Sequence, residues 1–174
     1  MKALVTGFEP FGGDKINPSL LAVARLKKRI AGVTVHTVQL PTSYARSAIV
    51  LSGAIVETRP DIVLCVGLAG GRAELCLERV AINVQDARIR DNDGKQPIDR
   101  PVVKDGPAAH FSTLPIKACV AEMRKAVKCA VASQPVGYRT PAESPDFTSL
   151  PQFPLELDLL QLSRKEMADY ARRA

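Results

Sequence analysis

The chain is poor in the residues that most catalytic and metal-binding motifs need. Only two histidines, His36 and His110, occur in 174 residues. Neither stands at ligand spacing to a cysteine, so no metal site is expected. The four cysteines, Cys65, Cys76, Cys119 and Cys129, form no Cys-x-x-Cys pair, and two lie in apolar strand-like runs where a reduced thiol behaves as a small hydrophobe. All four are read as unpaired thiols. The Gly-x-Gly-x-x-Gly spacing and the Gly-Lys-Ser/Thr of a phosphate loop are missing, and no cofactor is expected. No run approaches the roughly eighteen apolar residues of a membrane span, and the N-terminus has no signal-peptide core or cleavage site. A cytoplasmic protein without a membrane partner is the expectation.

Aromatic residues are scarce as well, at 5%, and none interleaves the basic clusters Arg25, Lys27, Lys28, Arg29 and Arg124, Lys125, Lys128. The net charge of +6 is therefore assigned to solvated helix faces, and nucleic acid is not an expected partner. What remains is globular composition, 46% hydrophobic and 24% charged, in a chain long enough for one core.

Residues 3–5 read as a short apolar strand ended by Gly7-Phe8-Glu9-Pro10-Phe11-Gly12-Gly13. Loops at the carboxyl ends of parallel strands are where open α/β sheets bind ligands. Phe8 and Phe11 are core plugs or the walls of a slot for a flat ligand. Asn17-Pro18 reads as a capped helix start, followed by helical spacing over 19–30 and a stop at Gly32. A strand is predicted over 33–40, then a helix opened by Pro41-Thr42-Ser43 and ended before Pro60. With the apolar run 61–66 the order is strand, helix, strand, helix, strand, which predicts a largely parallel sheet with helices on its faces.

That third strand breaks into Gly67-Leu68-Ala69-Gly70-Gly71-Arg72, and a β-rich run from Leu75 carries Glu78 between Leu77 and Val80. A carboxylate there is a surface ion pair with its neighbouring arginine or a group with chemistry to do. Residues 81–89 read as extended. Asp91-Asn92-Asp93-Gly94 lacks the distal glutamate of a calcium loop and is taken as a tight turn. Thr113-Leu114-Pro115 opens a further helix, and residues 129–132 a strand. From Ser133 the prolines at 135, 141, 145, 151 and 154 exclude a continuous helix or central strand. The expectation is a domain over 1–133 and a divergent, Pro-rich tail over 134–174, of loop or disorder with a possible terminal helix over 155–173.

Residues 1 to about 133 resemble the pyrrolidone-carboxylate peptidase, or pyroglutamyl peptidase I, family of cytoplasmic cysteine peptidases. The resemblance rests on Thr6 through Gly13 with Asn17-Pro18, on Pro60-Asp61, on Gly67 through Asn83, on Asp86-Ala87-Arg88-Ile89 with Asp91 through Gly94, and on Phe111 through Pro115. It implies a single-domain α/β/α sandwich with a twisted, mostly parallel sheet, often assembled as a tetramer, that removes N-terminal pyroglutamate from peptides. It also implies a Cys-His-Glu arrangement in which Glu78 orients the histidine, with Arg88 near the oxyanion site and Phe8, Phe11 and Ile89 lining the pyroglutamyl pocket. A carboxylate that fixes an imidazolium keeps a nearby thiol as thiolate, and a fixed cation stabilises the tetrahedral intermediate.

The sequence departs from that pattern. Leu68 stands where many bacterial members have glutamine, and Cys76 where serine or threonine is usual. As a substitute nucleophile Cys76, two residues from Glu78 on a strand, would stay protonated when buried without a histidine. Of the family's Ser-x-x-Ala-Gly-x-x-x-Cys-Asn motif, Ser133-Gln134-Pro135-Val136-Gly137 preserves the serine and glycine spacing, but the nucleophile's position is Pro141 and the asparagine's is Ala142. No histidine follows His110, and His110 matches a position that is commonly aromatic. Neither proline nor alanine can attack a carbonyl, so the chain is expected to be inactive, with the family's C-terminal strand and helix replaced, as by an out-of-frame reading. A non-catalytic binder of pyroglutamyl groups and a structural subunit of a paralogous oligomer are the alternatives.

Overall fold

The computed structural model describes residues 1–70 and 74–127, together with the backbone of 130–132 and 156–158. Strand β1 (Lys2–Phe8) lies at the centre, with β3 (Val33–Leu40) parallel on one side and β4 (Ile62–Gly67) parallel on the other. Helix α1 (Pro18–Ala24) connects β1 towards β3, and α2 (Ser47–Thr58) connects β3 to β4. These two connections cross the sheet in opposite directions. Right-handed crossovers must then place the helices on opposite faces. The packing agrees: α2 covers Leu4 and Val63 through Ala54, whereas α1 covers Val5 and Val66 through Val23, the alternate residues of the same strands.

Helix α3 (Ile116–Ala126) sits on the α1 face. Its Ile116 and Val120 pack with Leu77 and Leu64, and its buried stripe at i and i+4 is the amphipathic spacing of a helix on a sheet. The result is the three-layer α/β/α arrangement read from the sequence. The sheet has seven strands in the order β2-β3-β1-β4-β9-β5-β8, where β2 is Arg29–Ile30, β5 Leu75–Leu77, β8 Ala130–Ala132 and β9 Glu156–Asp158. Pairings β1/β3, β1/β4, β5/β8 and β5/β9 are parallel, and β2/β3 and β4/β9 antiparallel. A separate antiparallel ribbon joins β6 (Val80–Ile82) to β7 (Ala109–Phe111).

Three expectations are corrected. The first helix ends at Ala24 rather than Ile30, and Arg29–Ile30 folds back on β3 as a hairpin. Ala31 (φ 46°) and Gly32 (φ 83°) make its turn, so Gly32 serves a hairpin rather than a helix stop. Residues 81–89 are not one extended segment: β6 ends at Ile82, and a single bridge pairs Gln85 with Arg100. Residues 156–158 are strand, within the stretch from 155 read as a possible terminal helix or an unpacked tail. The alternation Leu155-Glu156-Leu157-Asp158-Leu159 has the period of two that suits a strand. Pro141 and the rest of the predicted tail, including the terminal helix beyond Asp158, lie outside the described residues.

Candidate functional site

Adjacent parallel strands whose following helices leave to opposite faces open a crevice at their carboxyl ends. Here those strands are β1 and β3, and the crevice is occupied by the loops after Phe8 and after Leu40. A pocket of about 280 Å³ opens there, lined by Phe8, Phe11, Thr42, Ser43, Tyr44, Ser47, Ile89, Arg90 and Asp91. Phe8, Phe11 and Ile89, which the family resemblance groups as pocket residues, thus line one cavity.

The first wall is set by how closely α1 approaches β1. A Cβ on Gly7 would lie 2.9 Å from both Leu20 Cα and Ser19 O, so only glycine lets the helix sit this close. Asn17 caps that helix: its Oδ1 accepts from Ser19 N (3.0 Å) and Ser19 Oγ (2.8 Å), and its Nδ2 donates to Glu9 O (3.1 Å). Ser19 Oγ in turn accepts from Phe8 N at 3.0 Å. Gly12 (φ 64°) turns the loop so that Phe11 faces the pocket side of Ile89, whose Cδ1 would lie 3.7 Å from a Cβ at Gly12.

The second wall is the β3–α2 loop. Sequence reading took Pro41-Thr42-Ser43 only as a helix opening, but α2 begins four residues later, at Ser47. Ser43 Oγ accepts from Arg46 N at 3.1 Å, and Thr42, Ser43, Tyr44 and Ser47 all line the cavity. The signal that could have found them is the strand-end rule already applied to Phe8 and Phe11.

The third wall ends in the turn at 91–94. Asp91 Oδ1 accepts from Asp93 N (3.0 Å) and Lys95 N (2.7 Å), and Oδ2 from Tyr44 N (2.8 Å). Desolvation pushes the Asp91 carboxyl up, yet the three backbone N–H groups together hold it below its ordinary range. Arg46 contacts Asp93 with both Nε (2.8 Å) and Nη2 (2.7 Å), and the Ser43 hydroxyl donates to the same carboxylate at 2.5 Å. Arg46 and Ser43 hold the Asp93 carboxyl at about 2. Burial, then Asp91 and Asp86, push the Tyr44 phenol above its usual value, so it is a neutral donor near pH 7. Both Asp91 oxygens are committed to backbone donors. The pocket therefore offers an apolar slot with a hydroxyl wall rather than an open acidic site.

Glu78 and Arg88 lie apart from this lining. Strand β5 stops at Leu77, and Glu78-Arg79 form a break before β6, so the strand alternation linking Cys76 to Glu78 does not run through. Glu78 is half-buried; Arg88 is exposed, its carbonyl accepting from Gln96 Nε2 at 3.1 Å. Cys76 is buried within β5, its thiol 3.7 Å from Glu74 O. His36 lies on β3, four strand positions from β5, or about 19 Å at ~4.8 Å per strand. It cannot serve as base for Cys76. His110 pairs with Ala81 in the β6/β7 ribbon.

The family model described as pyroglutamyl peptidase matches residues 1–139. The chain belongs to the pyroglutamyl peptidase family. Pyrrolidone-carboxylate peptidase 1 of Streptococcus pneumoniae is 54% identical over 137 residues, covering 79% of this chain and 64% of that protein. The pyrrolidone-carboxylate peptidase of Streptococcus pyogenes is 53% identical over the same length. Pyroglutamyl peptidase I of Bacillus amyloliquefaciens superposes with a TM-score of 0.74 at 44% identity, covering 78% of this chain and 66% of that structure. A mutant pyrrolidone carboxyl peptidase of Pyrococcus furiosus gives 0.75 at 43%, covering 79% and 66%. This pyroglutamyl peptidase family member thus spans 64% of the length of the streptococcal relatives it matches. No helix among its described residues is long and apolar enough to cross a membrane.

Proposed function

We propose that this chain keeps the pyroglutamyl-group pocket of its family but does not carry out the family's reaction, the removal of 5-oxoproline from peptide N-termini. The observation that carries the reading is the assembly of Phe8, Phe11 and Ile89 around one cavity, against proline at the position of the nucleophile, Pro141. In this reading the aromatic rings and the isoleucine take the faces of the lactam ring. Glu78 and Arg88 keep their inherited places as the histidine-orienting carboxylate and the oxyanion-side cation, without a nucleophile to serve. Losing the nucleophile of such a unit costs on the order of a millionfold in turnover. Burying about 100 Å² of ring at ~25 cal/mol per Å² contributes about 2.5 kcal/mol, so free pyroglutamate should bind in the millimolar range or more weakly.

Titration of the full chain with a pyroglutamyl amide, followed by calorimetry and by amine release, tests this. Saturable binding without release supports a non-catalytic binder, and release that survives Cys76→Ala would overturn the inactivity. We assign 1–133 to the family domain and 134–174 to a replaced tail, supported by a family match that ends at residue 139. Translating the underlying nucleotides in the other two frames tests its origin: absence there of the Ala-Gly, Cys-Asn and His-x-Pro motifs counts against an out-of-frame tail. Exposed Ile82, Ile98 and Phe111 favour a second reading, a subunit that joins intact paralogues or its own copies through an apolar surface. Co-purification with a full-length partner would support it, and a chain that remains solitary would remove it. A cytoplasmic location is proposed from the family alone.

A further inference from the structure

The three walls of the pocket are tied to one another by a closed triangle of hydrogen bonds. Its first side joins the β1–α1 loop to the β3–α2 loop: Thr42 N donates to Glu9 Oε1 (3.0 Å) and Thr42 Oγ1 to Glu9 O (2.9 Å). Its second side joins the β3–α2 loop to the turn at 91–94, through Asn92 N to Thr42 O (3.0 Å), Tyr44 N to Asp91, and the Ser43 and Arg46 contacts to Asp93. The third side closes the figure. Asn92 Nδ2 donates to both Glu9 Oε1 and Pro10 O, each at 2.9 Å.

Glu9 and Pro10 lie between Phe8 and Phe11, and Asn92 lies three residues beyond Ile89. The Asn92 side chain therefore spans from the loop that carries the aromatic walls to the segment that carries the aliphatic one. A lone exposed ion pair contributes little, but the Arg46–Asp93 contact is bidentate, is reinforced by a hydroxyl, and fixes the turn from which Asn92 projects.

We infer that the turn at 91–94 sets the width of the pocket, with Asn92 and Asp93 as positioning residues whose loss lets the Ile89 wall move away from Phe8 and Phe11. This rests on the pocket being the pyroglutamyl site only for the identity of the ligand; the tie between the walls stands without it. A slot of fixed width accepts a five-membered lactam and rejects its six-membered homologue. One released from the turn accepts both, and its preference declines before its fold does.

The test uses the full chain, its Asn92→Ala and Asp93→Asn variants, and Val120→Ala as a control that weakens the α3 core far from the turn. Ligand-free hydrogen exchange is read first. Both turn variants should lose protection at Phe8, Glu9 and Ala87, whose amides donate to Ser19 Oγ, Leu40 O and Pro97 O, as well as in 91–95; loss confined to 91–95 would overturn the inference. Ligand-observed NMR titrations then compare pyroglutamate with 6-oxopiperidine-2-carboxylate. The preference for the smaller ring should fall about tenfold in both turn variants and remain unchanged in Val120→Ala. An unchanged preference in the turn variants, or an equal fall in the control, refutes the assignment. If the parent chain binds neither ring, the ligand reading fails on its own and the exchange profile alone decides the positioning role.

Discussion

Replacing Asn17 by alanine tests how the first pocket wall is built. The side chain is 2% exposed and makes three hydrogen bonds: from Ser19 N and Ser19 Oγ to its carbonyl oxygen, and from its amide to Glu9 O. Removing the cap itself should cost about 1 kcal/mol. The Ser19 hydroxyl then loses its acceptor in a fully buried site, adding about 1–3 kcal/mol. Glu9 O retains the Thr42 hydroxyl, so its loss adds little. The sum is about 2–4 kcal/mol. Asn17→Asp keeps both acceptor contacts but turns a buried carboxylate oxygen towards Glu9 O in place of the donor, so it should cost roughly 1–2 kcal/mol. Urea unfolding followed by far-UV circular dichroism gives both values, provided the slope stays constant. A loss below about 1 kcal/mol for alanine, or equal losses for the two variants, would show that the cap does not organise this wall.

Gly7→Ala should destabilise by about 1–3 kcal/mol, because the new methyl meets the backbone of Ser19 and Leu20 at 2.9 Å. Gly53→Ala, on α2 with nothing within 4 Å, should stabilise by about 0.5–1 kcal/mol; both are read from urea midpoints, and a reversal of either sign contradicts the packing described. The Asp93 carboxyl is depressed to about 2 in the folded chain, against an ordinary value of about 3.9. Its contribution to stability is thus fully present above about pH 4 and is lost as pH falls through about 2. Unfolding of the parent chain and Asp93→Asn compared between pH 2 and 5 should show curves that converge at the acid end; curves that diverge there would reverse the assignment. The Cys76 thiol, buried at 4% exposure, should resist alkylation in the native chain and react on unfolding. Rapid native labelling at Cys76 would restore it as a candidate nucleophile.

The strands that were legible in the sequence are those that carry their own local signal. Residues 33–40 alternate, 61–66 form a short apolar run before glycine, and Asn17-Pro18 announces a helix start. The hairpin at 29–33 was hidden because Leu26 and Ile30 continue a helical spacing past the true end of α1, and only the turn at Ala31-Gly32 redirects the chain. The break at Glu78-Arg79 was equally obscure, since Leu77 and Val80 supply β-formers on either side. At the pocket, Phe8 and Phe11 were readable from the strand-end rule. Thr42, Ser43 and the turn at 91–94 were not, because their roles depend on hydrogen bonds between positions 33 to 83 residues apart. Local composition carries no trace of such partners.

Among the described residues, the groups that line the cavity fall between residues 8 and 91, upstream of the stretch where the family resemblance places the attacking sulfur and the base. On the proposed reading, the walls that would hold the ring and the sulfur and base that would attack it are inherited on separate parts of the gene. An exchange confined to the distal coding region would then silence turnover in one step and leave affinity to decline on its own, slower schedule. On that same reading, a protein in that condition would occupy capped peptide ends without consuming them.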